Sequence, residues 1–343
     1  MGRQQDRNKR FHKDLHQQAY DRLTSMQAFG ESKKEAIANG TDREKIFSFN
    51  TYKTYWKHAK YFTKWVGKNY PDCKTLKKAK KYVNIWLQER VDQGLSAWTI
   101  QTEAKALGKL YGIQPDDPDY FQPPKRARAN IKRSRGERAR DRHFSKHNNA
   151  DLIKFCRSVG LRRAELSTLK GSDLATRETL QKEFKELRNR PNRTDAQERY
   201  IQVLEDALLF DAEFFVHVRP GKGKGGRERY SPIVGPDVQE VVERMREVGP
   251  DKLVWVKIHS NADIHSYRAD YAARVYRTYA REISEIPYDR VNRGTGKRFQ
   301  GDVYICRKDE AKKKLDKLAM RMCSKALGHN RIQVVADNYS HKL

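Results

Sequence analysis

Six side chains spread between residues 162 and 339 have the types that phosphate chemistry uses. Arg162 lies in Gly160-Leu161-Arg162-Arg163-Ala164-Glu165-Leu166, at a helix start with a glutamate three residues on. His265-Ser266-Tyr267-Arg268 places a histidine and an arginine at i and i+3, on one helix face. Leu327-Gly328-His329 closes a helix on a glycine stop, and Tyr339 follows ten residues later. Between the first two lies Pro220-Gly221-Lys222-Gly223-Lys224-Gly225-Gly226, which supplies the lysine. Guanidinium forks bind oxyanions bidentately, imidazoles exchange protons near neutral pH, and a lysine of lowered pKa can donate one. A phenol among cations can be a nucleophile. Taken singly, each has a plainer explanation. Arg162 and Glu165 make a surface ion pair, His265 is a satisfied core histidine, and Tyr339 anchors a last helical turn. The glycine-rich run is no nucleotide loop, because G-x-x-x-x-G-K-[ST] is absent and the run leads into a strand.

The elements that carry these residues read as an α+β domain. Helical spacing runs through Leu152, Phe155, Cys156 and Val159, and again through Leu166 and Leu169. Phe214, Val216 and Val218 alternate, and Tyr230 to Val234 answers them across the glycine-rich turn as a β-hairpin. Leu253 to Ile258 reads as one more strand, and Asp263 caps a long helix through Tyr279. Ile332, Val335 and Tyr339 share a helical face. Upstream the pattern is all helical. Leu15, Ala19, Leu23 and Met26 form a helix stopped by Gly30, either an arm or a core helix. Tyr52, Tyr55, Trp56, Ala59, Phe62 and Val66 make one stripe after Ser48, and a second helix crosses Leu76, Ala79, Val83, Trp86 and Leu87. Ser96 caps a third helix, which closes at Gly112. The expected organisation is an N-terminal segment or arm (1–47), a helical unit (48–113), a linker (114–142) and the α+β domain (143–343).

Charge supports a polyanionic partner. The 343 residues hold 72 Lys and Arg against 44 Asp and Glu, a net +28. Residues 1–113 contribute +12, 114–142 +4 and 143–343 +12, so both halves are basic. Gln114 to Pro124 contains four prolines and three aspartates, and the basic run after it sets Lys125, Arg126, Arg128, Lys132, Arg133 and Arg135 where phosphates would lie. No stretch is apolar enough to span a membrane, and Met1 to Arg10 is too polar to lead into a signal peptide, so a cytoplasmic, nucleoid-associated location is expected. Cys73, Cys156, Cys306 and Cys323 are far apart and read as reduced thiols.

The ordered set resembles the tyrosine recombinases, the integrases of phages and mobile elements, over about residues 48 to 343. Arg162, Lys224, His265, Arg268, His329 and Tyr339 fall in that family's order, and Gly94-Leu95-Ser96-Ala97-Trp98-Thr99-Ile100 is similar to part of its helical core-binding domain. The resemblance implies a helical core-binding domain and a catalytic domain with a small antiparallel sheet. It implies cleavage and rejoining of duplex DNA through a 3′-phosphotyrosyl link. Four protomers would join two sites through a Holliday junction, with accessory directionality and DNA-bending proteins as further partners. Arg162 and Arg268 then clamp the non-bridging oxygens, Tyr339 is the nucleophile, His265 the base and His329 a donor to the phosphate. Lys224, eight residues before Pro232, protonates the leaving oxygen, with Lys222 the alternative. Glu165 buttresses Arg162. No cofactor and no metal is implied, because the phosphotyrosyl link keeps the ester bond for religation.

Two stretches depart from the family pattern, Thr176 to Asp211 and Ser284 to Asp309, and both read as surface additions. Rival readings are a type IB topoisomerase, a non-catalytic DNA-binding protein of the same fold, and, least favoured, an RNA-binding protein. If duplex DNA is the partner, affinity should fall by about 10³-fold or more between roughly 50 and 200 mM salt. Fluorescence anisotropy titrations across that range test this, and a flat salt response would remove the polyanion argument.

Overall fold

The computed structural model describes residues 14–126, 143–221, 227–286, 301–307, 310–329 and 331–343. The chain forms two compact units, Met1–Ala127 and Arg128–Leu343.

The first unit is built from α1 (Leu15–Thr24), α2 (Lys33–Ala38), α3 (Phe49–Asn69), α4 (Leu76–Ala79), α5 (Val83–Asp92) and α6 (Ala97–Tyr111). The apolar stripe of α3 buries Tyr52, Ala59, Phe62 and Val66 in one cluster with Leu15, Ala19 and Leu23 of α1 and with Ala104 and Leu107 of α6. The first helix is therefore a core helix of this unit. It stops at Thr24, well before Gly30, because the backbone turns to pair with Ile46: the Ile46 amide donates to Met26 and the Ala28 amide to Ile46. The single helix expected across 76–87 is also broken, by a 3₁₀ turn at Lys80–Tyr82 that stacks Tyr82 on Tyr70 with ring centroids 3.8 Å apart. Ser96 caps α6 through the Thr99 amide, and Gly112 closes it at φ 71°. Glu103, buried on α6, accepts from Arg90 of α5 and pairs with Nδ1 of His58 on α3. No helix among the described residues is long and apolar enough to cross a membrane.

The second unit runs α7 (Ala150–Val159), α8 (Arg163–Leu166), β1 (Leu174–Thr176), α9 (Arg177–Arg188), α10 (Asp195–Leu208), β2 (Phe214–Val218), β3 (Arg229–Pro232), α11 (Val238–Glu247), α12 (Ile264–Tyr279), β4 (Val303–Ile305), β5 (Lys314–Asp316), α13 (Lys317–Ala326) and α14 (Gln333–Tyr339). Strands β1, β2 and β3 form one antiparallel sheet in that order, with Val216 opposite both Leu174 and Ser231. Strands β4 and β5 form a separate pair.

Alternation along β2 sends Phe215 into one core and Phe214, Val216 and Val218 into another. Helix α12 belongs to both, with Tyr267 in the second and Ala269, Tyr271, Ala272 and Val275 in the first. The Thr176 to Asp211 stretch is no surface addition: α9 and α10 bury Leu180, Leu204 and Ala207, and Phe210 follows just after α10, in the core that holds Phe215. Their charged residues are the outer faces of two amphipathic helices. The strand expected at Leu253–Ile258 is likewise absent. Leu253 makes one isolated bridge with Lys170, outside the sheet, and Val256 stands 89% exposed.

Helix α7 ends on Gly160 at φ 61°, where an added Cβ would lie 2.1 Å from the ring of Tyr271 on α12. Neither the left-handed backbone nor the contact leaves room for a side chain. Gly160→Ala should cost roughly 2–4 kcal/mol in urea unfolding, whereas a loss under about 0.5 kcal/mol would mean that the α7–α12 contact is looser than described.

Candidate active site

The site is assembled around one carboxylate. Arg162 is the N-cap of α8, and Glu165, three residues on, accepts from its backbone amide at 2.8 Å and from its Nη1 at 2.7 Å. Arg229 of β3 donates to the same carboxylate through both Nη atoms, at 3.2 and 2.8 Å. Glu165 is only 3% exposed. Burial pushes its pKa up, but the charge and hydrogen bonds of Arg229, the Arg162 amide and the charge of Arg268 outweigh this and hold it at about 2. It is an anion at every physiological pH.

Arg268 projects from α12 and is 2% exposed. Its Nη1 donates to the Gly160 carbonyl at the end of α7, its Nη2 to the Leu327 carbonyl at the end of α13 at 2.6 Å, and its Nε to the Tyr339 hydroxyl of α14 at 3.2 Å. One guanidinium thus ties two helix C-termini, where carbonyl dipoles favour a cation, to the phenol. Burial lowers its pKa, and the charge of Tyr339 is the largest opposing influence.

His329 follows Gly328, whose φ of 66° closes α13. Its amide donates to Ser324 at 2.8 Å, and Ser324 Oγ donates back to the His329 carbonyl at 3.1 Å. The ring lies 6.1 Å from that of Tyr339 between centroids, and its Nε2 is buried with no hydrogen-bond partner among the described residues. Burial, then the charges of Arg268, Arg162 and Arg229, lower its pKa to about 3 against the opposing pull of Glu165. The imidazole is neutral near pH 7. Three guanidiniums therefore face one carboxylate and a neutral ring, an excess of positive charge suited to an oxyanion. Arg162, with 19% of its side chain exposed, is the open edge of the cluster.

Of the residues singled out in the sequence, the fold brings together Arg162, Glu165, Arg268, His329 and Tyr339. His265 is exposed on the first turn of α12, three residues before Arg268. Lys224 and Lys222 lie outside the described residues, as do Arg128, Lys132, Arg133 and Arg135. Lys125 and Arg126 are exposed in the first unit, with the Arg126 guanidinium 5.5 Å from the Trp98 ring centroid.

Two residues escaped the sequence reading. Arg229 shares a face of β3 with Ser231, and both donate to the Ala326 carbonyl at 3.2 Å. No local pattern marked Arg229, whose partners lie 64 and 97 residues away. Arg163 donates to the carbonyls of His259, Ser260 and Ala262, holding the loop that leads into α12. Its only signal was the doubled arginine.

No protein-family model and no curated protein matches the chain. Among solved structures, the crystal structure of XerA recombinase aligns with 95% of this chain and 94% of that chain, at 15% identity and a TM-score of 0.24.

Both depressed pKa values make acid destabilising. Neutral His329 contributes stability above its ordinary pKa of 6.5 that is lost as pH falls towards about 3, and ionised Glu165 does the same from 4.5 towards about 2. His329→Gln should therefore lose less stability than the parent between about pH 7 and pH 5 in urea melts. Identical slopes for the two proteins would show that His329 titrates normally.

Proposed function

We propose that this chain is a DNA strand-cleaving and rejoining enzyme of the tyrosine-recombinase type. The observation that carries the reading is the Tyr339 hydroxyl held 3.2 Å from Nε of Arg268, inside a cluster that also contains Arg162, Arg229, Glu165 and His329.

In this reading the scissile phosphate of duplex DNA binds at the open edge of the cluster, with Arg162 and Arg268 opposite the charge that develops on its non-bridging oxygens. Tyr339 attacks phosphorus, the bond to the 5′ oxygen breaks, and the tyrosine keeps a 3′-phosphodiester link that the freed 5′ hydroxyl later reverses. Because Arg268 donates into the phenol oxygen, the hydroxyl hydrogen points elsewhere and the forming phenolate is stabilised. The neutral imidazole of His329 is the base this geometry offers. A phosphate between the guanidiniums would raise its low pKa and strengthen it as an acceptor. His265, exposed on α12, remains the alternative base, open to an incoming DNA strand. Lys224, or Lys222, remains the proposed proton donor to the leaving oxygen. Four protomers on two sites, with accessory directionality and bending proteins, complete the proposal.

A duplex nicked near the cleavage site, so that the freed end diffuses away, traps the intermediate as a covalent adduct on a denaturing gel. Tyr339→Phe should abolish the adduct and leave DNA affinity within about threefold, since it removes one hydroxyl and no charge. An adduct persisting in Tyr339→Phe would overturn the assignment. Relaxation of supercoiled plasmid with no site preference would move it to the topoisomerase class.

A further inference from the structure

We infer that Arg229 is a positioning residue of this site, fixing the carboxylate that orients Arg162 and supporting the turn that aims His329. The inference rests on the reading above only for its catalytic consequence; the positioning itself is a property of the free protein.

Three contacts meet at this side chain. Its two Nη atoms grip both oxygens of Glu165, the oxygens that also bind the amide and Nη1 of Arg162. A planar fork against a carboxylate defines direction as well as distance, which a lysine ammonium does not. Its Nε donates to the Ala326 carbonyl in the last turn of α13. Its Cδ and Nη1 also lie 3.0 Å from where a Cβ on Gly328 would be. The glycine thus leaves room for the guanidinium directly beneath the residue that precedes His329. Arg229 therefore links β3, α8 and the α13–α14 turn through one buried group, and no other described side chain contacts both Glu165 and the carbonyl of Ala326.

The position also has an electrostatic consequence. The charged and titratable groups acting on His329 are Arg268 of α12, Arg162 and Glu165 of the α8 start, and Arg229 of β3, while Tyr339 of α14 packs beside the ring. Removing the Arg229 cation leaves Glu165 with less compensation and reduces the excess of positive charge facing the imidazole. Both changes make protonation of His329 easier.

The test has one arm that needs no reaction and one that does. In the DNA-free parent protein, the ¹³Cε1 resonance of His329 should titrate below about pH 5, and Arg229→Gln should raise that midpoint by about one unit. A parent midpoint near the unperturbed value of about 6.5, or no shift in a folded Arg229→Gln, overturns the inference whatever the enzyme does. Arg229→Lys keeps the cation and most of the volume. It should melt within a few degrees of the parent and bind DNA within about twofold, yet form the covalent adduct about 10- to 100-fold more slowly in a single turnover. A normal adduct rate in Arg229→Lys overturns positioning, while a parent that forms no adduct at all overturns only the proposed function. Should Arg229→Gln not fold, the parent titration and the lysine variant still decide the matter.

Discussion

A carboxylate shut away from water between two guanidiniums is the constraint on which the second unit depends. Taking Glu165 out of solvent costs several kcal/mol by general experience with buried ions, and its attraction to Arg162 and Arg229 offsets that only with good geometry. The geometry is supplied by three elements at once. Helix α8 presents the carboxylate back to its own N-cap, β3 brings Arg229 from the sheet, and the end of α13 accepts the remaining Arg229 donor. Because a buried charge that loses a partner is strongly penalised, a shift in any one of these elements is resisted by the other two.

Arg268 works on the same logic with different partners. Its donors go to the closing carbonyls of α7 and α13 and to a phenol, not to a carboxylate. Helix C-termini carry partial negative charge, so two of them facing one guanidinium hold it without neutralising it. Both of these helices turn off through a left-handed glycine: Gly160 packs against Tyr271 too closely to carry a side chain, and a Cβ on Gly328 would meet the Arg229 side chain at 3.0 Å. The glycines are thus part of the site, because they let helix ends converge on a cation.

The net effect is a pocket of fixed positive charge around a neutral histidine and a tyrosine. One carboxylate cannot balance three guanidiniums, and that imbalance adds to burial, the larger cause, in depressing His329. The fixed cations also prepare the site for an anion before one arrives, since groups already bonded in place need little reorganisation when charge develops. The overall charge of +28 has a local counterpart here, in a small set of buried cations distinct from solvated lysine faces.

Much of this was legible in the sequence wherever chemistry is local. Caps announced α6 and α12 through Ser96 and Asp263, alternation announced the β2–β3 hairpin, and the i,i+3 spacing of Arg162 and Glu165 announced a pair. What local pattern could not decide was which groups meet. The apolar faces of α9 and α10 were hidden by their charged ones, and the apolar run at Leu253 had no strand beside it to pair with. His265 and Arg268 share a helix face by spacing, yet one is exposed and the other buried, because burial depends on where α12 enters the core. Arg229 was invisible, because its partners are 64 and 97 residues away. Residue types and their order along the chain, with the charge they carry, follow from sequence alone. The conversion of a surface-looking ion pair into a buried hub required tertiary structure, since only packing removes water, and only without water do those charges fix one another.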